Sequence, residues 1–369
     1  MPIISSEKLK NCQRLLFISP LALGDFLYIK TFLNDIKHNF PHIQLDIWLD
    51  DNRCNTNEWR LNRSKILQQW IGAETAFDNS YGCCDSPQMQ QAQIQQAQGE
   101  SYDIIICHSG SKSHEFSAIA RQISANAYVV SSIASAPFKG ILNWYLFRHS
   151  DAVYQLDANK LDKNHHITDR YYTVFNDIVG ISLQKNQFMP SLAIPIEMTQ
   201  GAQQWLQANF ANHHGKTVLI NHLSTNSKRD WLEEQVIELI KQIAAREANT
   251  RFVINVTKEH FDAMMALVAR SFNKTQTPVA VFTIQENFFE LPAIISIVDC
   301  VITAETAIVH FATASKTPLI ALMRTKKPYW APPVSNISHV LYATEGRGYV
   351  ADISVETVYQ QYTKMISTH

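Results

Sequence analysis

The sequence predicts an α/β protein with two Rossmann-like domains, and three observations support this prediction. Its 369 residues exceed the usual length of a single domain. Short apolar runs alternate with apolar residues at helical spacing in both halves, a pattern typical of parallel strands covered by helices. Between the halves, the stretch from Gln184 to Thr199 carries two prolines and no sustained periodicity, which predicts an inter-domain linker. We therefore place the domains at residues 1–190 and 191–369.

The first half contains four predicted strands, and the first of them is Arg14–Ser19. Apolar residues from Phe26 to Ile36 then recur at helical spacing, which predicts a helix directly after this strand. Three further short apolar runs predict buried strands at Ile43–Leu49, Asp103–Cys107 and Ala127–Ser131.

The second half repeats this alternation. Its predicted strands are Thr217–Asn221, Arg251–Asn255, Val279–Thr283, Cys300–Thr303 and Pro318–Leu322. Helices are predicted to begin at Trp231, Glu259 and Thr306, and a last helix, Val355–Ile366, can pack on either domain. In open sheets of this class ligands bind beyond the carboxyl ends of the strands, so the loops that follow the strands are where function is sought.

The composition limits the classes of function. Hydrophobic residues make up 46% of the chain and charged residues 18%, which is enough apolar material for two packed cores. Lys and Arg number 32 and Asp and Glu number 33, so the chain lacks the basic excess of a nucleic-acid-binding protein. The six cysteines include no Cys-x-x-Cys pair, which predicts reduced thiols rather than a zinc site or a disulfide framework.

The sequence also predicts a cytoplasmic protein. The apolar run near the N-terminus is interrupted by Pro20, Gly24 and Asp25, and no cleavage site of the kind that a signal peptide requires follows it. The apolar stretch Ala293–Met323 contains several charged residues, whereas a membrane-spanning helix needs about 20 mostly uncharged ones.

Gly24 and Asp25 lie where the first predicted strand gives way to a helix. Glycine allows the backbone to turn sharply or to approach a ligand closely. Asp25 has two interpretations: it is the N-cap residue of the helix, or it is a carboxylate at the mouth of the strand that acts as a general base.

Four segments together resemble glycosyltransferase family nine, the ADP-heptose:lipopolysaccharide heptosyltransferases. They are Leu23–Asp25, Gly110–Ser113, Ser227–Trp231 and Glu305–His310, and they occur in the family's order at the expected strand ends. The resemblance implies the GT-B fold, in which two Rossmann-like domains face a cleft, and an inverting glycosyltransferase. No Asp-x-Asp pair lies at a predicted strand end, so we expect no metal and no separate cofactor.

The resemblance implies that the first domain binds the acceptor, which is a glycan or a glycolipid. Asp25 corresponds to the residue that deprotonates the acceptor hydroxyl in the family. Gly24, Ser111 and Lys112 are the corresponding acceptor-binding residues, with an ordinary polar loop as the alternative for Ser111 and Lys112.

The second domain is implied to bind the nucleotide-sugar, an ADP-heptose-like donor. Lys228 corresponds to the cation that stabilises the departing diphosphate where no metal is present. The helix predicted to begin near Thr306 presents free backbone N–H groups and a positive dipole end to a phosphate. The remaining predicted donor-binding residues are Ser224, Thr225, Arg229, Glu259, Glu305, Ala307 and His310. For Glu259 the alternative is a solvated acid at a helix start, and for His310 a buried structural histidine.

The chain departs from the family pattern at several positions. Ala22 and His108 replace a serine and an acidic residue, Asp230 is inserted, Glu305 replaces aspartate and Ala307 replaces glycine. The last two changes motivate a second hypothesis, a non-catalytic binding protein with the GT-B fold. A third is a sugar-nucleotide epimerase or hydrolase, which processes the donor without forming an acceptor product.

The family's acceptors are membrane-embedded glycolipids, so the resemblance also implies a peripheral contact with the inner membrane. The segment Phe138–Ser150 mixes aromatic residues with Lys139, Arg148 and His149, as an interfacial helix does. A helix buried in the core is the alternative for this segment.

Overall fold

The computed structural model describes residues 1–50, 53–110, 112–180, 190–211, 213–272, 277–326, 328–333 and 335–367. The chain divides into two compact units, Met1–Met189 and Pro190–His369. Each unit contains a six-stranded parallel sheet.

In the first unit the strand order is β3-β2-β1-β4-β5-β6. The strands are β1 (Arg14–Ser19), β2 (Gln44–Leu49), β3 (Ser80–Gly82), β4 (Ile104–His108), β5 (Tyr128–Ile133) and β6 (Ala152–Gln155). The helices are α1 (Ser6–Asn11), α2 (Leu23–Asn39), α3 (Glu58–Ala73), α4 (Pro87–Gln98), α5 (Ser113–Ile123), α6 (Asn143–Leu146) and α7 (Ile167–Val179), with 3-10 turns at Pro137–Gly140 and Ala158–Lys160.

The centre of the first sheet is covered on both faces, which explains its continuous apolar strands. Every residue of β1 after Arg14 is buried. Phe32 of α2 stacks on Phe175 of α7 with ring centroids 5.1 Å apart, and Phe17 of β1 lies 6.0 Å from Phe175. These contacts fix α2 and α7 against each other and against β1.

In the second unit the strand order is β12-β11-β10-β7-β8-β9. The strands are β7 (Thr217–Asn221), β8 (Arg251–Asn255), β9 (Val279–Phe282), β10 (Cys300–Ala304), β11 (Leu319–Arg324) and β12 (Ser338–Ala343). The helices are α8 (Ile196–Phe210), α9 (Glu233–Arg246), α10 (Lys258–Ser271), α11 (Glu290–Ile297), α12 (Ala307–Ala314) and α13 (Val355–Ser367), with 3-10 turns at Ser227–Arg229, Pro328–Trp330 and Val350–Asp352.

The C-terminal helix α13 packs within the second unit. Its residues Val358, Tyr362 and Met365 belong to the same buried cluster as the strands of the second sheet. Trp231 lies in this cluster too, and its indole N–H donates a hydrogen bond of 2.9 Å to the carbonyl of Ile353. Because Trp231 is buried ahead of α9, that helix begins at Glu233 rather than at Trp231 as the periodicity predicts.

The predicted α/β alternation is confirmed in both sheets, and three strands that the pattern does not predict complete them. These strands, β3, β6 and β12, all lie at the edges of their sheets. Edge strands are covered less completely, so they lack the continuous apolar runs that mark buried parallel strands. Exposure alternates along β6, for example, instead of being low throughout.

The predicted linker is only partly visible, because residues 184–189 lie outside the described residues. Its last part is helical, since α8 begins at Ile196. Pro195 occupies the N-cap position of this helix. A proline is tolerated there because the first N–H groups of a helix have no partner within it.

The segment Phe138–Ser150 is not a core helix. It forms a 3-10 turn and the four-residue helix α6, and most of its large apolar side chains are exposed. The alternative prediction, a helix buried in the core, is therefore wrong for this segment. Phe147 is nevertheless buried, with 4% of its surface exposed.

Candidate active site

Asp25 lies in the first turn of α2, directly after the carboxyl end of β1. The N-cap residue of this helix is Ala22, which makes no side-chain capping bond, and Asp25 is the third helical residue. The N-cap interpretation of Asp25 is therefore wrong. Its carboxylate still lies near the helix N-terminus, where the helix dipole stabilises negative charge.

Tyr171 forms a hydrogen bond with Asp25, and the sequence patterns give no sign of this contact. Its hydroxyl group donates a hydrogen bond to Oδ1 of Asp25 from a position 146 residues further along the chain, in α7. Burial raises the pKa of Tyr171 well above its usual value, and the negative charge of Asp25 raises it further. The phenol therefore remains a proton donor at neutral pH and orients the carboxylate.

His108 ends β4 beside this pair. Its ring lies 6.0 Å from that of Tyr171, measured between centroids, and its Nδ1 lies 3.1 Å from the hydroxyl oxygen of Ser132 in β5. Burial lowers the pKa of His108 to about 4, so the imidazole is neutral at physiological pH. The carboxyl ends of β1, β4 and β5 thus carry a contiguous polar group made of Asp25, Tyr171, His108 and Ser132.

The structure places two of the three other predicted acceptor-binding residues, Gly24 and Lys112. Gly24 is the second residue of α2, so it forms part of the first helical turn. Lys112 precedes α5, is exposed, and pairs with Glu115 at 3.1 Å between Nζ and Oε1. Ser111 lies outside the described residues. The acceptor-binding roles of these residues remain predictions.

In the second unit, α12 begins next to Thr306, as the sequence predicts, and Thr306 is its N-cap residue. Its hydroxyl oxygen accepts a hydrogen bond of 3.2 Å from the backbone N–H of Ile308. Behind it, the amide of Asn255 donates to Asn221 at 2.8 Å, and the amide of Asn221 donates to Thr303 at 3.1 Å.

This buried network ties together the carboxyl ends of β7, β8 and β10 and so fixes the start of α12. The sequence carried a signal for it, because the predicted strands Thr217–Asn221 and Arg251–Asn255 both end in asparagine. Buried amides at such positions need hydrogen-bond partners, which neighbouring strand ends supply.

Glu305 is bound by two arginines. Its carboxylate oxygens lie 3.4 Å from Nε of Arg229 and 3.3 Å from Nε of Arg324, and the backbone N–H of Arg324 also donates to it. Arg324 ends β11 and is missed by the sequence patterns. Glu305 therefore positions two guanidinium groups near the carboxyl end of β10, where α12 begins. Guanidinium groups can form paired hydrogen bonds with phosphate oxygens.

Lys228 lies in the 3-10 turn that follows β7. It is exposed, and its Nζ lies 5.7 Å from the centre of the Tyr349 ring. Asp230, the residue inserted relative to the family pattern, fastens this loop by accepting a hydrogen bond of 2.7 Å from the backbone N–H of Ser224. The hydroxyl of Ser224 donates to the carbonyl of Asn226, so it stabilises the loop as well.

The remaining predicted donor-binding residues differ in accessibility. Thr225 and Glu259 are exposed, and a hydrogen bond from Thr257 lowers the pKa of Glu259 in the first turn of α10. Ala307 is the first residue of α12. His310 is buried, with its ring 5.5 Å from that of Trp330.

Within the described ranges, no group of three or more His, Cys, Asp and Glu side chains is arranged to hold a metal ion. None of the helices described is long and apolar enough to cross a membrane. The six cysteine thiols are free.

Residues 94–358 match the model of glycosyltransferase family 9 (heptosyltransferase). This match covers well over half of the chain, and the chain therefore belongs to glycosyltransferase family 9. The family assignment made from the four sequence motifs is confirmed.

Individual relatives agree with this assignment. The chain is 26% identical over 180 residues to the lipopolysaccharide core heptosyltransferase OpsX of Haemophilus influenzae, an alignment that covers 49% of this chain and 48% of the relative. The chain thus spans about half the length of this curated relative. Solved structures match nearly the whole chain, among them the following two.

The first is the ADP-heptose lipopolysaccharide heptosyltransferase II of E. coli, with a TM-score of 0.72, 14% identity, and coverage of 96% of this chain and 99% of that one. The second is a family 9 glycosyltransferase from Veillonella parvula, with a TM-score of 0.75, 16% identity, and coverage of 97% and 98%. At these identities the likeness concerns the fold, and it confirms the predicted GT-B class.

Proposed function

We propose that this protein is an inverting, metal-independent heptosyltransferase that acts on the cytoplasmic side of the inner membrane. The donor is an ADP-heptose-like nucleotide-sugar, and the acceptor is a glycan carried on a lipid. The observation that carries the proposal is the position of Asp25 after β1, held by Tyr171, in a chain of this family. The family match begins at residue 94, so the role of Asp25 rests on its own geometry and motif.

Asp25 is the general base in this proposal. Its carboxylate takes the proton of an acceptor hydroxyl, and the hydroxyl oxygen attacks the anomeric carbon of the donor sugar. The bond between that carbon and the diphosphate oxygen breaks, and the nucleoside diphosphate leaves with both electrons. A single displacement of this kind inverts the anomeric configuration.

The second unit supplies the positive charge that such a leaving group requires. Lys228 is exposed in the loop after β7, and Arg229 and Arg324 form ion pairs with Glu305. The N-terminus of α12 follows its N-cap residue, Thr306. Fixed cations and helix N-termini stabilise developing phosphate charge in the transition state. This arrangement supports donor binding by the second unit and acceptor binding by the first.

Metal independence is tested directly. We expect transfer from ADP-heptose to a lipopolysaccharide-core acceptor to be unchanged by a chelator, because lysine and arginine offset the diphosphate charge. The release of ADP and the formation of heptosylated acceptor should both be measured, with and without EDTA. Loss of transfer with EDTA and its recovery with magnesium or manganese would contradict this part of the proposal. Release of ADP with no acceptor product would instead support a donor hydrolase.

Replacement of Tyr171 by Phe tests the positioning of the base. Tyr171→Phe removes the hydroxyl group that donates to Asp25, so we expect kcat/KM to fall on the order of 10-fold, as for the loss of a hydrogen bond to a charged group. The acid limb of the pH profile should also move to higher pH, because a carboxylate that loses a hydrogen-bond donor is protonated more readily. The measurement is kcat/KM as a function of pH.

Tyr154→Phe is the matched control. Tyr154 also donates to an aspartate of α7, with 3.0 Å between its hydroxyl oxygen and Oδ2 of Asp177. It follows that this variant should lose a similar hydrogen bond without moving the pH profile. A Tyr171→Phe variant with an unshifted profile and a rate loss no larger than that of Tyr154→Phe would refute the positioning role.

A further inference from the structure

Large apolar side chains are exposed side by side after β5. Thirteen such side chains are exposed among the described residues, and five of them fall within residues 138–145. These five, here called the apolar cluster, are Phe138, Ile141, Leu142, Trp144 and Tyr145. Phe138, Ile141 and Trp144 are 69%, 77% and 79% exposed. Single exposed apolar residues are ordinary, but a contiguous group marks a surface that meets a partner.

The backbone of this segment keeps the cluster outside the core. Phe138, Lys139 and Gly140 have φ values of 50°, 54° and 86°, so three successive residues are left-handed. Residues other than glycine seldom adopt this conformation. The chain turns there without forming a regular amphipathic helix that could lay one face on the sheet.

Charge around the cluster favours one kind of partner. Along the chain no residue between Glu115 and Asp151 is acidic, whereas Lys139 lies within the cluster and Arg148 follows it. The guanidinium carbon of Arg148 lies 4.5 Å from the centre of the Tyr145 ring, and Nη1 of Arg148 donates to the carbonyl of Tyr145 at 3.0 Å. Tryptophan and tyrosine beside basic residues form the combination that partitions into the headgroup region of an anionic bilayer.

The position of the cluster relates it to the candidate active site. The cluster follows the carboxyl end of β5, and β5 is parallel to β4 and through it to β1, so it lies on the same edge of the sheet as Asp25. A cavity of about 540 Å³ opens beside the cluster. Its wall includes Lys139 and Gly140 of the same segment and the polar side chains of Gln155, Asp157 and Asn159.

We propose that the apolar cluster, together with Lys139 and Arg148, docks the first unit on an anionic phospholipid bilayer. The aromatic side chains enter the headgroup region, Lys139 and Arg148 meet lipid phosphates, and the neighbouring polar cavity receives the saccharide of a lipid-anchored acceptor. This inference deepens the proposed function and rests on it for the glycolipid acceptor. The docking itself depends only on the surface.

Vesicle flotation tests the docking. The full chain should bind vesicles of phosphatidylethanolamine and phosphatidylglycerol and bind vesicles of phosphatidylcholine much more weakly. Ile141→Ser and Trp144→Ser should each weaken binding on the order of 10-fold, because each removes a large apolar side chain from the interface. The double change Lys139→Gln and Arg148→Gln should abolish the preference for phosphatidylglycerol.

Ile196→Ser is the matched control for Ile141→Ser. Ile196 begins α8 in the second unit and is 73% exposed, close to the 77% of Ile141. Both variants should melt like the unchanged chain, and only Ile141→Ser should lose vesicle binding. If the double variant Ile141→Ser/Trp144→Ser binds vesicles as well as the unchanged chain does, the proposal is wrong. It is also wrong if the unchanged chain does not bind vesicles, for example because it self-associates through the cluster.

A second readout separates this inference from the proposed function. Transfer to a water-soluble acceptor fragment should be equal in the unchanged chain and in the Ile141→Ser/Trp144→Ser variant, while transfer to acceptor embedded in vesicles should fall only in the variant. Equal transfer to embedded acceptor would overturn the docking and leave the enzyme assignment standing. Absence of transfer to any acceptor, with vesicle binding intact, would overturn the enzyme assignment alone.

Discussion

Replacement of Asp25 by Asn is expected to lower the rate of sugar transfer by a factor on the order of 100 to 10,000, the usual worth of a positioned general base. The amide oxygen of Asn can still accept the hydrogen bond that Tyr171 donates. It cannot take a proton from the acceptor hydroxyl. The favourable interaction of the carboxylate with the helix dipole is lost as well, which should lower the free energy of unfolding by less than about 1 kcal/mol.

The control for this variant is Asp35→Asn, the same chemical change on the same helix. Asp35 accepts a hydrogen bond of 2.9 Å from Asn39 and lies towards the other end of α2. Initial rates, melting temperatures and ADP affinity should be measured on both variants. We expect Asp25→Asn to bind ADP normally, because the proposed donor site belongs to the second unit. Near-normal turnover of Asp25→Asn would remove the catalytic assignment.

Replacement of Lys228 by Ala is expected to weaken ADP binding and to lower kcat on the order of 100-fold, the scale measured when one group that stabilises transition-state charge is removed. The departing diphosphate carries more charge in the transition state than in the bound donor, so the effect on kcat should accompany the effect on affinity. Lys228 is exposed, and its loss should leave the melting temperature nearly unchanged.

Lys241→Ala is the control, because Lys241 is likewise exposed but lies within α9. It should affect neither ADP affinity nor rate. Thermal shift with increasing ADP reports the affinity, since a ligand that binds only the folded chain raises its melting temperature. If Lys228→Ala matched Lys241→Ala in both measurements, the diphosphate charge would have to be met by other groups, and Arg229 and Arg324 would be the next to replace.

The central strands of both sheets were determined by the sequence alone. A parallel strand covered on both faces must be apolar throughout, so its residues form a run that can be read directly, as in Arg14–Ser19 and Thr217–Asn221. Edge strands such as β3 and β6 carry no such run, because part of their surface remains in water. The same locality explains why the positions of Asp25, Lys228 and Thr306 beyond strand ends could be predicted, since each follows a recognisable strand.

The partners of these residues were decided only by the tertiary structure. Tyr171 meets Asp25 across 146 residues because α7 packs beside α2 in the first unit. Arg324 meets Glu305 because β11 pairs with β10, and no local spacing relates the two positions. A hydrogen bond or ion pair of this kind depends on which elements adjoin, and that is a property of packing rather than of periodicity.

The segment Phe138–Ser150 shows most clearly the difference between what the sequence determines and what the tertiary structure decides. Its composition suits a core helix and an interfacial surface equally well, since both require large apolar side chains. The structure leaves five of those side chains exposed. The sequence determines how strongly each side chain favours burial, whereas the fold decides whether other elements of the protein bury it.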